Sequence, residues 1–307
     1  MLRAMKRRGR SIHRGLNMEK RMPLFFILPC IIILAVVSVF PFIYSLFLSL
    51  NSWELAMGEP RKFIWLANYA RLFKEPRFWN SMWNMGKELI FGVTSQFVIG
   101  LFFALMLNRV IKVRSLISTL FLLPMMIAPV VVGCNWRMIY HFTYGPLNYV
   151  LKLLHISSEG FNWLGSTKLS MPSIIISDTW EWTPFMMIVL FAGLQSIPVE
   201  LYEVAKVDGA SQWQQFWNIT LPLLKPIIIV AVLIRGMDAF KIFDLVVLLT
   251  QGGPAASSET IAYYNYLTGF KYFSVGYAAA LAYIQLIIII IIANVFLRFL
   301  PEKEAGK

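Results

Sequence analysis

From Leu201 to Pro222 the chain reads LYEVAKVDGASQWQQFWNITLP, and this stretch lies between two apolar blocks at 172–195 and 226–249. Its residues spell two short helices joined by a turn. Pro198 suits a first helical turn, and Gly209 suits the end of that helix, where a positive φ is required. Ser211 then caps a second helix, with Gln214 three residues on to complete a capping box. A loop over 196–225 built as helix, glycine turn, helix has the shape of something that projects from a membrane.

The rest of the chain supplies the membrane part. Of its 307 residues 58% are hydrophobic and only 14% are charged, against roughly 25% charged in ordinary soluble proteins. The apolar residues fall in blocks of about 20 or more, the length needed to cross a ~30 Å hydrocarbon core as helix. Apolar windows place six transmembrane helices at 24–50, 89–107, 116–139, 172–195, 226–249 and 275–299. The expected organisation is a basic segment over 1–23, a six-span domain over 24–299 that includes the loop 196–225, and a tail over 300–307.

A net charge of +12 could indicate nucleic acid, but its distribution argues against that partner. Arg3, Lys6, Arg7, Arg8, Arg10, Arg14, Lys20 and Arg21 all precede the first span and are opposed only by Glu19. That pattern predicts a cytoplasmic N-terminus. Six spans then return the C-terminus to the cytoplasm, and Arg109, Lys112 and Arg114 between spans two and three agree. The first apolar run is longer than the ~7–15 residues of a secretory signal core and lacks a small-residue cleavage site, so it reads as a retained anchor. Met18 is an alternative start. Cys30 and Cys134 lie inside apolar blocks and read as buried, inert thiols.

The first external connection, Asn51 to about Glu88, is rich in aromatics such as Trp53, Trp65, Trp79 and Trp83, which favour the membrane interface, and an interfacial helix is expected near 67–75. The second, 140–171, carries turn residues at Tyr144-Gly145-Pro146 and Ser157–Gly160, and the Ile run at 287–292 reads as lipid-facing. Polar groups inside spans are costly and therefore informative. Span five holds Arg235, Asp238, Lys241 and Asp244 at three-residue intervals and alternating sign, so each charge can meet its opposite along one helix. Span four holds Asp178, Trp180, Glu181 and Trp182 just before Pro184. Antiparallel spans bring Glu181 and Asp238 to a similar depth. Two readings stand side by side: carboxylates and rings that hold sugar hydroxyls and sugar faces, or charges that neutralise one another and lock packing. Pro124, Pro129 and Pro184 either free backbone groups beside a cavity or are plain kinks.

The 201–222 stretch resembles the EAA loop that marks permease subunits of binding-protein-dependent ABC importers. The matching positions are Glu203-Val204-Ala205, Asp208-Gly209-Ala210, Ile219 and Leu221-Pro222, with Val204 in place of the central alanine. LLPMMIAPVVVGCNWRMIY in span three, RGMDAFKIFDLVVLLTQGGP in span five and FIWLANYARLFKEPRFWNSMWN in the first external loop are similar to the carbohydrate branch, near maltose-type and glycerol-3-phosphate-type permeases. The resemblance implies an all-α membrane subunit of the type I importer (MetI-like) architecture in a bacterial inner membrane. It also implies a second homologous permease as heterodimer partner, an ATPase dimer that uses ATP and magnesium, an extracytoplasmic solute-binding protein and a sugar-like solute. The coupling residues it implies are Glu203, Ala205, Asp208, Gly209, Leu221 and Pro222. No catalytic residue, metal site or cofactor is expected in this chain.

Two other classes are weaker. A self-contained ATP-driven pump needs a G-x-x-x-x-G-K-[ST] phosphate loop, and Gly86-Lys87 lacks the preceding glycine. His13, His141 and His155 are too scattered for a metal site or a catalytic dyad. An ion- or proton-coupled secondary transporter would also bury carboxylates, but no inverted repeat is visible.

Overall fold

The computed structural model describes residues 27–55, 58, 60–109, 114–156 and 159–298. The basic N-terminal segment, Met18, Lys112 and the C-terminal tail fall outside these residues. The described chain is all helical apart from a small hairpin. Five helices are long and apolar enough to cross a membrane: α1 (Ile27–Ser49), α3 (Pro76–Arg109), α7 (Ser170–Gln195), α9 (Gln212–Ala239) and α12 (Val275–Leu297). A bent pair, α4 (Arg114–Met126) and α5 (Pro129–Ile139), is apolar enough to make a sixth crossing if the two helices count as one broken span. Shorter helices are α2 (Ala67–Lys74), α6 (Pro146–Leu153), α8 (Val199–Val207), α10 (Asp244–Leu249) and α11 (Ile261–Lys271). The hairpin pairs Asn51–Ser52 with Lys62–Phe63.

Three spans depart from the sequence expectation, each for a local reason. Span two begins at Pro76 rather than 89, because Pro76 sits in the first helical turn and Glu75 ahead of it is extended. The aromatic stretch assigned to the external loop therefore becomes the first turns of α3, which passes through a π-turn at Glu88–Gly92. Span three is not one helix: α4 and α5 meet at 90°. Pro129 has no N–H to give and holds Ala128 extended at ψ 135°, so the helix stops and restarts. Span five starts much earlier than 226, running unbroken from the Ser211 cap through a π-turn at Phe216–Thr220, and it ends at Ala239. The 244–249 portion is the separate helix α10.

The bundle has two ends. At one, Arg109 of α3 bonds to Gln212 of α9, and Gln195 of α7 bonds to Asn108 of α3. At the other, Asn68 of α2 donates to the carbonyls of Ser49 (2.8 Å) and Asn51 (3.0 Å), and Tyr277 of α12 donates to Glu75 (2.7 Å). The interior is apolar in three patches. Leu190, Leu194 and Leu224 pack near the α8 end, Met186 and Ala231 in the middle, and Phe78, Ile174, Val246 and Leu281 toward the far end. The α3–α7 pair is the closest: a Cβ on Gly100 would collide with the side chain of Met186, so only glycine lets the two backbones approach this far.

Cys30 and Cys134 are free thiols but exposed, not buried. Both sit on outward faces: almost all of α1 is uncovered by the rest of the chain, and its Ile31, Ile33 and Val37 are exposed with Cys30. Ile287, Ile290 and Ile291 face outward as expected, while Ile288, Ile289 and Ile292 turn back toward the core.

Candidate functional site

The loop at 196–225 is built as its residues require. Pro198 precedes α8 in an extended conformation instead of occupying its first turn. At the other end Gly209 takes φ +79°, its N–H reaches the Lys206 carbonyl (3.1 Å), and the Ala210 N–H reaches the Ala205 carbonyl (2.9 Å). This pair of bonds is a Schellman closure, which satisfies carbonyls that a helix end otherwise leaves open. The capping box follows at once: the Gln214 N–H donates to Ser211 Oγ (3.3 Å) and the Ser211 N–H to Gln214 Oε1 (2.7 Å). Asp208 ends α8, Ala205 is half-buried, and Leu221 and Pro222 lie in α9. Glu203 is exposed, and so are its neighbours Leu201, Val204 and Val207, the last at 87%. Nothing among the described residues covers this apolar, acidic face.

The second site lies inside the bundle. Asp178 of α7 is ion-paired with Arg235 of α9, and both are buried. Gln96 of α3 closes the triangle: its Nε2 donates to Asp178 Oδ2 (2.7 Å) and its Oε1 accepts from Arg235 Nε (2.8 Å). The Arg235 guanidinium also lies over the ring of Trp182 at 4.9 Å. Both polar atoms of the Gln96 amide, Asp178 Oδ2, and Arg235 Nε and Nη2 are thus employed, as burial of charge demands. Beside it stand Glu181, almost fully buried, and Glu88, fully buried with neither carboxylate oxygen hydrogen-bonded.

The expected ladder along span five is therefore not what the fold makes. Arg235 reaches across to span four rather than along its own helix. Lys241 and Asp238 do face each other (3.8 Å), but both are exposed, and the helix has ended before Lys241. Asp244 opens α10, where a carboxylate suits the positive end of the helix dipole. Glu181 has Asp178, Arg235 and Asp244 as its charged neighbours, and Asp238 is not among them. Trp180 is half exposed and meets Trp136 of α5 edge-on at 5.9 Å. The fold thus gathers Asp178, Glu181, Trp182 and Arg235 and leaves Trp180, Asp238 and Lys241 at the surface of the chain.

Sequence reasoning missed Gln96, which follows Thr94 and Ser95, and Glu88, which follows Lys87, because each reads as part of a short polar group at the edge of an apolar run. It also missed a brace at the far end. Arg77 Nε and Nη2 bond both oxygens of Glu259 (2.8 and 2.7 Å), Ser81 donates to the same carboxylate (3.1 Å), and Asn80 and Asn84 hold the Ala256 carbonyl. This fixes the GGP-containing loop 250–260 against the start of α3. Partners separated by more than 170 residues carry no local signal.

Residues 96–302 match the family model described as binding-protein-dependent transport system inner membrane component. The chain is 35% identical over 258 residues to the trehalose/maltose transport system permease protein of Thermococcus litoralis, covering 84% of this chain and 85% of that one. It is 32% identical to the sulfoquinovosyl glycerol transport system permease protein of Agrobacterium fabrum, over 93% of this chain and 92% of the other. Among solved structures it resembles a chain of a bacterial ABC transporter involved in import of the acidic polysaccharide alginate. That likeness has a TM-score of 0.78 at 25% identity and covers 94% of this chain and 100% of that one. With its multiple spans, its capped loop and a family match over most of its length, this multi-pass membrane protein belongs to the inner membrane component family of binding-protein-dependent transport systems.

Proposed function

We propose that this chain is a permease subunit of an ABC importer that brings a sugar or sugar-like solute into the cytoplasm, driven by ATP hydrolysis in a separate subunit. The observation that carries the reading is the uncovered face of α8, where Glu203 stands among exposed Leu201, Val204 and Val207, ahead of the Gly209 turn and the Ser211 capping box. An apolar patch flanked by the exposed carboxylates Glu200 and Glu203 suits a soluble partner that offers a groove and cations. That partner is an ATPase dimer using ATP and magnesium, so the α8 end of the bundle faces the cytoplasm of a bacterial cell, with both chain termini on that side. The names of the relatives, trehalose/maltose and sulfoquinovosyl glycerol, favour a carbohydrate-like solute. A related alginate transporter solved with a pentasaccharide-bound periplasmic protein supports a solute-binding protein at the far end. A second, homologous permease completes the pathway across the exposed faces of this chain. Asp238, Lys241, Asp244 and Trp180, uncovered here, then line the solute path, while Asp178, Glu181, Trp182 and Arg235 form the wall behind them.

The test is to reconstitute the complete complex and compare wild type with Glu203→Ala. The variant is expected to bind the ATPase more weakly and to lose uptake, with solute preference unchanged in the activity that survives. Removing one partner of a buried ion pair costs about 3–5 kcal/mol. Normal assembly and uptake would overturn the assignment, and so would gradient-driven uptake by this chain alone, which belongs to a secondary transporter.

A further inference from the structure

A cavity of about 800 Å³ opens between the ends of α3, α7 and α9 and the inner face of α8. Two cations line it, Arg109 from α3 and Lys206 from α8, and its lining contains no carboxylate. Arg109 donates to Gln212 Oε1 (3.1 Å), and neither cation is ion-paired among the described residues. Val199, Tyr202 and Lys206 of α8 face the cavity at helical spacing, and neither Glu200 nor Glu203 is among its lining residues. Asn108, Gln212 and Gln215 add hydrogen-bonding groups, and the floor is apolar, from Leu105, Leu194 and Phe216.

Position narrows the occupant. α3, α7 and α9 are membrane-crossing helices, and the cavity lies where they end, so it sits at headgroup depth. Trp213, 69% exposed at its rim, stacks edge-on with exposed Trp217 at 5.6 Å, and tryptophan favours that depth. A small soluble anion would use the two cations but not the apolar floor; a lipid uses both.

We propose that this cavity holds the headgroup of one anionic phospholipid from the leaflet on the α8 side, with its phosphate between Arg109 and Lys206 and its glycerol end over Leu105, Leu194 and Phe216. Glu203 is not among the lining residues, and lipid retention by the isolated chain is read without the ATPase, so the two assignments are tested separately. A bound lipid would sit between the membrane bundle and the loop helix and tie the position of α8 to membrane composition.

The full chain, purified in mild detergent, is offered phosphatidylglycerol and phosphatidylcholine together, and retained lipid is counted by native mass spectrometry. One phosphatidylglycerol per chain is expected. A basic residue near an anionic surface contributes roughly a fivefold factor, so Arg109→Gln with Lys206→Gln should weaken retention roughly thirtyfold. Lys271→Gln, at the far end of the bundle, should change nothing. A photoactivatable phosphatidylglycerol on the wild-type chain checks the site without mutation and should label peptides spanning 105–109 or 212–216. Equal retention of phosphatidylcholine, unchanged retention in the double variant or labelling elsewhere would overturn the proposal. Displacement of the lipid by inorganic phosphate would instead identify a soluble-anion site and overturn it as well.

Discussion

Replacing Arg235 with glutamine removes the cation bonded to Asp178 and leaves three carboxylates, Glu88, Asp178 and Glu181, in one buried region. Breaking a buried ion pair from one side costs about 3–5 kcal/mol. The upper part of that range applies, because Arg235 also donates to Gln96 and covers the Trp182 ring, and because Glu88 has no hydrogen bond of its own. Asp178→Asn is milder. It leaves Arg235 near Glu88 and Glu181, and the cost falls to about 1–3 kcal/mol, that of an impaired charged hydrogen bond. The double variant should recover part of the loss, with a coupling of about 0.5–3 kcal/mol. Thermal unfolding of the purified chain in detergent reads all three. At roughly 2–4 °C per kcal/mol for domains of 150–250 residues, Arg235→Gln should lower the midpoint by about 10 °C and Asp178→Asn by about half as much. Single variants within about 2 °C of wild type, or a double variant that simply sums the two losses, would refute the account of the triangle.

Three further outcomes follow from other parts of the molecule. Gly209→Val puts a β-branched residue at φ +79°, a strain of about 1–3 kcal/mol; uptake driven by ATP should fall while the solute preference of the remainder is unchanged in competition assays. Glu181→Gln combined with Asp238→Asn should alter uptake rate or solute preference in proteoliposomes, and unchanged values for both would reassign these residues to packing. Glu259→Gln breaks the two-pronged bond to Arg77, whose guanidinium is one-third exposed, so about 1–3 kcal/mol is lost locally; hydrogen exchange should quicken over 250–260 and remain slow in α7.

The parts of this fold that local chemistry dictates were legible before any coordinates. Gly209, Ser211 and Gln214 announce a helix end and a helix start within six residues, and the structure places both there. Five of the six expected crossings were legible for the same reason, since hydrocarbon thickness sets the length of an apolar block, and the sixth became a pair of helices bent by 90°. What escaped depends on contacts between distant segments. The alternating charges of 235–244 look self-sufficient as a string, but Phe240–Phe243 break the helix and Arg235 finds Asp178 across the bundle. Gln96 becomes meaningful only once α3 lies against α7 and α9. Cys30 and Cys134 were misread because apolar surroundings in a membrane chain do not mean interior: a helix face toward lipid or a partner is as hydrophobic as a core.

α9 runs from Gln212 to Ala239 without a break, through a π-turn at Phe216–Thr220 and past Pro226, and so links the loop to the intramembrane charges. Arg235 stands 23 residues beyond the capped start, about 35 Å at 1.5 Å per residue. Over that length a push of about 1 Å at one end is a rigid tilt of under about 2°, and the π-turn and Pro226 are the two points at which the helix can absorb it by bending. The Asp178–Arg235–Gln96 triangle sits near the other end of the helix, where little angular slack is available. Force applied beside Ser211 would thus reach the Arg235 guanidinium only in the part that these two bending points and the packed residues Leu224 and Ala231 pass on.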